Sequence, residues 1–194
     1  KRPPTLNADI QTDPVARFGD AADDPAVWID QHNPANSLIL GTDKRAGLMV
    51  YSLDGKLLQS LEVGRVNNVD VRQHSAIDNH SNTLIAASNR TTNSISLFDL
   101  DEQQQVRHMG DIATDLTEIY GLCMYQSASG SYVFVNDKDG TYQQYRIDAT
   151  SPKPTAQKVR EFSLPSQPEG CSADDNSSQL YMGEEKAGIW LVDA

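Results

Sequence analysis

The feature that most constrains the fold is a pattern that recurs four times along the chain. Each unit reads as an apolar strand, a short polar loop, a second apolar strand and then an Asp. The units occupy residues 38–55, 84–101, 132–148 and 180–194. A charged residue stands at the same point of each loop, with separations of 46, 48 and 47 residues: Lys44, Arg90, Lys138 and Glu185. Such self-similarity indicates a repeat architecture.

Further short strands flank these units and suggest what each repeat contains. One apolar segment precedes each unit, and another follows each of the first three. Four strands every ~40–50 residues are typical of a β-propeller blade. The sequence therefore predicts an all-β propeller with four-stranded antiparallel blades at about 26–63, 69–110, 121–164 and 170–194. A β-sandwich of unrelated strands is the alternative, but it does not explain the recurring charged position.

The blades present amount to about three and a half to four, which predicts an incomplete ring. Residues 1–14 are polar, rich in Pro and Asp and without periodicity, so we expect an N-terminal arm there. The propeller domain should then span residues 15–194. Propellers commonly close by adding an N-terminal strand to the last blade, and residues 15–18 are a candidate for it.

Composition limits the partners of such a domain. The 194 residues include 16 Lys and Arg against 27 Asp and Glu, a net charge of −11. This balance disfavours nucleic acid and anionic membranes as partners and is compatible with divalent cations.

The two cysteines, Cys123 and Cys171, exclude a disulfide scaffold and form either one bridge or two buried thiols. We expect thiols, because Cys is often a small core residue.

Equivalent loops of a propeller converge around its axis, so Lys44, Arg90 and Lys138 should lie close together. Three cations in one cleft repel each other, and a bound anion would offset this repulsion. Lys and Arg are the side chains that suit phosphate. Acidic residues should reach the same region, and adjacent carboxylates without basic neighbours suit Ca²⁺. They are Asp23, Asp24, Glu169, Glu184 and Glu185. The alternative is that all these charges are solvated turn residues.

Several motifs in order along the chain resemble the β-propeller phytases. They are residues 20–28 (DAADDPAVW), 67–72 (NNVDVR), 87–90 (ASNR), 119–121 (IYG), 167–170 (QPEG) and 173–175 (ADD). The resemblance covers nearly the whole chain after residue 15. It implies a six-bladed, calcium-dependent and typically secreted enzyme that hydrolyses phytate, myo-inositol hexakisphosphate.

The resemblance also implies roles for individual residues. Lys44, Arg90 and Lys138 match basic residues that hold substrate phosphate, and Tyr120 matches a tyrosine at the cleavage site. Carboxylates that match calcium ligands are Glu169, Glu185, Asp23 and Asp24. Asp139 stands where the family commonly has Glu after the lysine, so it is a further candidate ligand. The implied catalytic set is Tyr120, Lys138, Glu169 and Glu185.

Together these inferences predict a calcium-dependent phosphomonoester hydrolase, of the 3-phytase type, that releases phosphate from phytate through metal-activated water. We expect several Ca²⁺ ions, phytate or another inositol phosphate as ligand, and a secreted or periplasmic location. One alternative is an incomplete, non-catalytic propeller that binds phosphorylated inositol or calcium and assists a second phytase domain. Another is a propeller used only for protein contacts.

Overall fold

A computed structural model describes residues 5–73 and 83–194, and the strands in these ranges form four antiparallel sheets. The first sheet contains β1 (Ala22–Trp28), β2 (Leu38–Asp43), β3 (Gly47–Ser52) and β4 (Leu57–Leu61). The second contains β5 (Val66–Gln73), β6 (Thr83–Asn89), β7 (Ser94–Leu100) and β8 (Val106–Ala113). The third contains β9 (Ile119–Ser127), β10 (Gly130–Asp137), β11 (Thr141–Asp148) and β12 (Thr155–Ser163). The fourth contains β13 (Pro168–Asp174), β14 (Gln179–Glu184) and β15 (Gly188–Asp193).

The sheets are arranged as propeller blades. In each sheet the strands pair in chain order, and the first strands of successive sheets contact one another in the series β1, β5, β9 and β13. These first strands therefore surround a common axis, and the later strands of each sheet lie progressively farther out. The prediction of an all-β propeller with four-stranded blades is confirmed, with the fourth blade limited to three strands.

Hydrophobic cores fill the spaces between neighbouring sheets. Adjacent residues of β6 show how this works, because Ile85 contributes to the core against the first sheet and Ala86 to the core against the third. Successive side chains of a strand point to opposite faces, so a strand between two sheets is buried on both faces. All seven residues of β6 are buried for this reason. Each fully buried Leu, Ile or Phe stabilises the fold by about 1.5–3 kcal/mol.

The first and fourth sheets each leave apolar residues exposed. Val27 of β1 is 47% exposed, and Ile189 of β15 is 78% exposed. The four sheets thus form an arc with two open end faces. A total of six blades stays a prediction.

The N-terminal arm lies against the first sheet. Residues 5–14 contain no strand and are exposed, while residues 1–4 of the predicted arm lie outside the described ranges. The Asp13 backbone N–H donates to the Gly55 carbonyl at 2.7 Å, and Asp13 Oδ2 accepts from the Leu57 N–H at 2.9 Å. Gly55 has φ +87°, and a Cβ there would lie 2.3 Å from the Gln11 carbonyl oxygen, so this contact requires glycine.

The predicted closing strand at residues 15–18 is wrong. No strand forms there, and Phe18 is 93% exposed. The preceding residues already bind the turn between β3 and β4 of the first sheet, which holds the arm on that blade.

The two cysteines form a disulfide, so the expectation of buried thiols is also wrong. Cys123 lies on β9 and Cys171 on β13, with their Cα atoms 5.5 Å apart. Both belong to the first strands of neighbouring sheets, which the propeller brings side by side. The bond therefore links the third sheet to the fourth covalently.

Across residues 5–73 and 83–194, no helix is both long enough and apolar enough to cross a membrane.

Candidate functional site

The four repeated charged residues occupy one equivalent turn in each sheet. Each is the first residue after the second strand: Lys44 follows β2, Arg90 follows β6, Lys138 follows β10 and Glu185 follows β14. Equivalent turns of a propeller lie at the same end of the axis, so the four side chains share one face of the molecule.

A buried polar residue shapes the first three of these turns. The last residue of the second strand accepts a hydrogen bond from the backbone N–H two residues later. Asp43 Oδ1 accepts from Arg45 at 2.8 Å, and Asn89 Oδ1 accepts from Thr91 at 3.0 Å. Asp137 Oδ1 accepts from Asp139 in the same way, at 3.3 Å. These turns of the Asx type fix the backbone beside each cation.

The first strand of every sheet carries a β-bulge at the same level. Two residues of the first strand lie opposite one residue of the second, and the register then continues. The bulged pairs are Asp23–Asp24, Asn67–Asn68, Tyr120–Gly121 and Glu169–Gly170. Bulges are common beside functional sites because the extra residue redirects a side chain. Four predicted site residues, Asp23, Asp24, Tyr120 and Glu169, lie in these bulges.

The residue opposite each of the first three bulges ties it to the next sheet. Thr42 Oγ1 accepts from the Asp24 N–H at 2.9 Å and donates to the Asn67 carbonyl at 2.7 Å. Ser88 Oγ accepts from the Asn68 N–H at 3.0 Å and donates to the Tyr120 carbonyl at 2.6 Å.

Asn136 completes the series of bridging residues, which are Thr42, Ser88 and Asn136. Its Oδ1 accepts from the Gly121 N–H, and its Nδ2 donates to the Glu169 carbonyl, both at 2.8 Å. All three bridging residues are buried. Gly183 stands opposite the fourth bulge and has no side chain to make such a bridge.

Turns and bulges together line a cavity of about 350 Å³, which we call the mouth. Its walls are formed by Asp20, Lys44, Arg45, Arg65, Asn67, Arg90, Tyr120 and Lys138. Lys138 Nζ lies 5.2 Å from the centre of the Tyr120 ring, and the Arg90 guanidinium carbon lies 5.8 Å from it. The structure thus brings together Lys44, Arg90, Lys138 and Tyr120. Five cations around one cavity are notable in a chain of net charge −11.

Carboxylates pair with the predicted phosphate-binding cations. Lys44 Nζ lies 2.8 Å from Asp20 and 3.3 Å from Asp23, and the hydrogen bond that Lys44 donates to Asp20 raises the pKa of Lys44. Glu118 Oε1 lies 2.7 Å from both Arg90 Nη2 and Lys138 Nζ. Its hydrogen bonds to Lys138 and Arg90 hold the pKa of the Glu118 carboxyl below its usual range.

Tyr120 is bordered by carboxylates on its other side. Its hydroxyl lies 3.4 Å from Glu169 Oε1. Burial raises the pKa of the Tyr120 hydroxyl, and the negative charges of Glu169, Glu185 and Asp23 raise it further. Tyr120 therefore keeps its proton at neutral pH and can donate a hydrogen bond.

Three of the acidic residues predicted near the mouth are engaged in structural contacts. Asp24 Oδ2 accepts from the Val69 N–H at 3.0 Å, and burial raises the pKa of the Asp24 carboxyl. Asp139 Oδ1 accepts from the Thr141 N–H in its own turn at 2.8 Å. Glu184 is buried and accepts hydrogen bonds from Ser166 and Trp190.

The remaining carboxylates suit calcium chemically. Glu169, Glu185 and Asp23 offer hard oxygen donors beside the mouth, and Glu185 Oε1 accepts one hydrogen bond from Gln167 at 2.7 Å. Within the described ranges, however, no three His, Cys, Asp or Glu side chains approach closely enough to form a metal site by themselves. A cation bound here would need additional oxygen ligands, which phosphate and water can provide.

Some residues of the mouth were missed by reasoning from sequence. Arg45, Arg65 and Asp20 line the cavity without standing at the repeated position, and Glu118 enters through its ion pairs. Aligning the first strands on their bulges would have found Asn67, because it is equivalent to Tyr120. We find no sequence signal that marks Glu118.

Comparison with known proteins shows the family of this chain. The chain matches the Phytase family over residues 2–194. It is 40% identical to a 3-phytase of Bacillus subtilis over 199 aligned residues, which cover 97% of this chain and 52% of that protein. The chain thus spans about half the length of this relative.

Solved structures with low sequence identity share the fold. The β-propeller domain of Cps50 (Swd1) from Myceliophteria thermophila aligns with a TM-score of 0.58 at 11% identity, covering 87% of this chain and 53% of that chain. Sqt1 of Chaetomium thermophilum, solved with the N-terminus of ribosomal protein L10, gives 0.59 at 14% identity, with coverage of 90% and 45%. The family match over nearly the whole chain and the 40% identity establish that this chain belongs to the phytase family.

Proposed function

We propose that this chain provides the phosphate-binding part of a calcium-dependent phosphomonoester hydrolase that releases phosphate from phytate. The observation that supports this most directly is the mouth, where equivalent turns of three sheets present Lys44, Arg90 and Lys138 beside Tyr120. Family membership supports the reaction type, and the name of the Bacillus subtilis relative supports phytate as the substrate class.

The chain's own residues would bind and orient the phosphate group. Arg90 can hold two phosphate oxygens at once, while Lys44 and Lys138 act as compact positive charges. Their combined charge would stabilise the negative charge on the equatorial oxygens during displacement at phosphorus. The protonated Tyr120 hydroxyl would donate a hydrogen bond to another oxygen.

Calcium, when bound, would add positive charge and activate a water molecule as the nucleophile. Glu169, Glu185 and Asp23 would hold it, since they combine oxygen donors with a place next to Tyr120. Glu169 could also orient water toward phosphorus, because its Oε1 lies only 3.4 Å from the Tyr120 hydroxyl.

A non-catalytic module that binds phosphorylated inositol or calcium, assisting a second phytase domain, is the second candidate. It is favoured by the absence of a three-carboxylate cluster among residues 5–73 and 83–194. Such a module would bind phytate through the same cations without releasing phosphate.

Phosphate release from phytate, measured with added Ca²⁺ and with EDTA while thermal melting is followed, separates the two candidates. The hydrolase predicts calcium-dependent release that falls at least tenfold in Arg90→Ala. Arg107→Ala is the matched control, because Arg107 pairs with Asp99 on the outer part of the second sheet. Calcium-dependent stabilisation without release would favour the module. If no phosphate were released and neither phytate nor calcium changed the melting temperature, both candidates would be wrong.

We also propose a secreted or periplasmic location. The Cys123–Cys171 disulfide supports it, because such bonds persist mainly in oxidising compartments. Thiol alkylation of the protein taken directly from its native source should leave both cysteines unmodified.

A further inference from the structure

Glu118 holds the position that a phosphate oxygen would need in order to contact two cations of the mouth. A single atom, Oε1, lies 2.7 Å from Arg90 Nη2 and 2.7 Å from Lys138 Nζ. The two cations come from different sheets, so they approach each other only at the mouth. A phosphate oxygen would bind them with the same charge-assisted hydrogen bonds.

The backbone of Glu118 is fixed, whereas its carboxylate is accessible to water. The Glu118 N–H donates to Asp137 Oδ2 at 2.8 Å, and the Thr117 N–H donates to the same oxygen at 2.7 Å. The Glu118 side chain is 49% exposed. The carboxylate can therefore leave the cations for solvent and return to the same place.

The equivalent position in the fourth sheet carries a different residue. Glu118 stands two residues before the bulged Tyr120, and Gln167 stands two residues before the bulged Glu169. Gln167 Nε2 donates to Glu185 Oε1 at 2.7 Å. In the third sheet, the Glu118 carboxylate thus contacts the cation of the turn, Lys138. In the fourth sheet, the neutral Gln167 amide contacts the carboxylate of the turn, Glu185.

We propose that Glu118 is an internal competitor of phosphate. It neutralises Arg90 and Lys138 while the mouth is empty, swings away when phosphate binds, and returns to weaken the retention of product phosphate. This inference rests on the proposed function, since it requires that Arg90 and Lys138 bind phosphate. A purely structural role for Glu118 makes the opposite prediction, because losing a structural contact would weaken binding.

The test measures the affinity of the 194-residue chain for inorganic phosphate by titration calorimetry at low salt. Glu118→Gln keeps the shape of the side chain and removes its charge, so we expect phosphate to bind about three- to tenfold more tightly. Glu102→Gln is the matched control. It removes the same charge from an exposed turn between β7 and β8, at the opposite end of the second sheet, and should leave the affinity unchanged.

Arg90→Ala distinguishes failure of this inference from failure of the proposed function. If Arg90→Ala weakens phosphate binding but Glu118→Gln leaves it unchanged or weakens it, Glu118 is not a competitor. If Arg90→Ala leaves phosphate affinity unchanged both in the wild-type chain and in Glu118→Gln, the cations do not bind phosphate. The proposed function then fails together with this inference. If Glu118→Gln and Glu102→Gln tightened phosphate binding equally, the effect would come from the change in net charge alone. That result would also overturn the inference.

Discussion

The first three sheets and the fourth sheet differ at both positions that build the mouth. In the first three, the turn after the second strand carries Lys or Arg, and a bridging side chain lies opposite the bulge. In the fourth, the turn carries Glu185 and Gly183 lies opposite the bulge. The repeated framework is therefore the same, while the charge it presents changes sign at the fourth sheet.

This comparison explains how one repeat can serve two kinds of ligand. Three turns with cations suit the oxygens of an anion, and one turn with a carboxylate suits a hard cation. The backbone needs no change, since the bulge occurs in all four sheets. The attachment of the fourth sheet also differs, because a disulfide joins it to the third.

Removing the disulfide should give the largest effect. The bond closes a loop with a sequence separation of 48 residues, and chain entropy predicts a stabilisation of about 4 kcal/mol for a loop of this size. Cys123→Ala/Cys171→Ala should lower the free energy of unfolding by about that amount in urea. A loss below about 1 kcal/mol would mean that apolar packing alone holds the fourth sheet in place.

The bridging residues give the next largest effect. Ser88→Ala removes the partner of the buried Asn68 N–H and the Tyr120 carbonyl, which should cost about 1–3 kcal/mol of unfolding free energy. Gly183→Ala at the equivalent place adds a Cβ 3.5 Å from the Gly170 carbonyl oxygen, an ordinary contact, and should change stability by less than about 0.5 kcal/mol. If Ser88→Ala and Gly183→Ala lost the same unfolding free energy, the bridging side chains would not account for a difference between the first three sheets and the fourth.

Substitutions in the turns should change ligand affinity more than they change the stability of the protein. Lys138→Ala should weaken phosphate binding about tenfold, which corresponds to about 1.4 kcal/mol for the loss of one charged partner. Glu185→Gln should not weaken phosphate binding measured without calcium. Calorimetry with inorganic phosphate and thermal melting of the same samples test both statements, and a Lys138→Ala variant that melts at a lower temperature but binds phosphate with unchanged affinity would contradict them.

The smallest expected effect is a pH dependence of stability at Glu118. Lys138 and Arg90 lower the pKa of this carboxyl in the folded protein, so its stabilising contribution is complete above the ordinary pKa of 4.5. It is lost as the pH falls through the lower folded pKa. The wild type should therefore melt slightly above Glu118→Gln at pH 6, and the difference should shrink toward pH 3. In a background of Arg90→Ala and Lys138→Ala, the difference should be absent at every pH.

The repeat pattern was sufficient to predict the fold class and the shared turn. Alternating apolar residues with polar turns specify strands locally, and a fixed spacing of the charged residue places it equivalently in each blade. Lys44, Arg90 and Lys138 were placed together on this basis, and they do line one cavity. Their roles toward phosphate stay predictions.

The bulges could not be predicted with the same ease. A bulge is a difference of one residue between two paired strands, so it depends on register, which the neighbouring strand sets. Asp23, Asn67, Tyr120 and Glu169 have different side chains, and only their pairing shows that they are equivalent. The closing strand was predicted wrongly for a related reason, because the contact of Asp13 with the first sheet is not visible in the composition of the arm.

The sequence by itself determined the number of repeats, the kind of charge in each turn and the all-β class, because these depend on residue type and spacing. Only the tertiary structure decided which charges meet. Glu118 pairs with Arg90 across 28 residues of chain and with Lys138 across 20, while Cys123 joins Cys171 across 48. Coulomb attraction and covalent bonding depend on distances of a few ångström in space. Only the packing of one sheet against the next sets those distances.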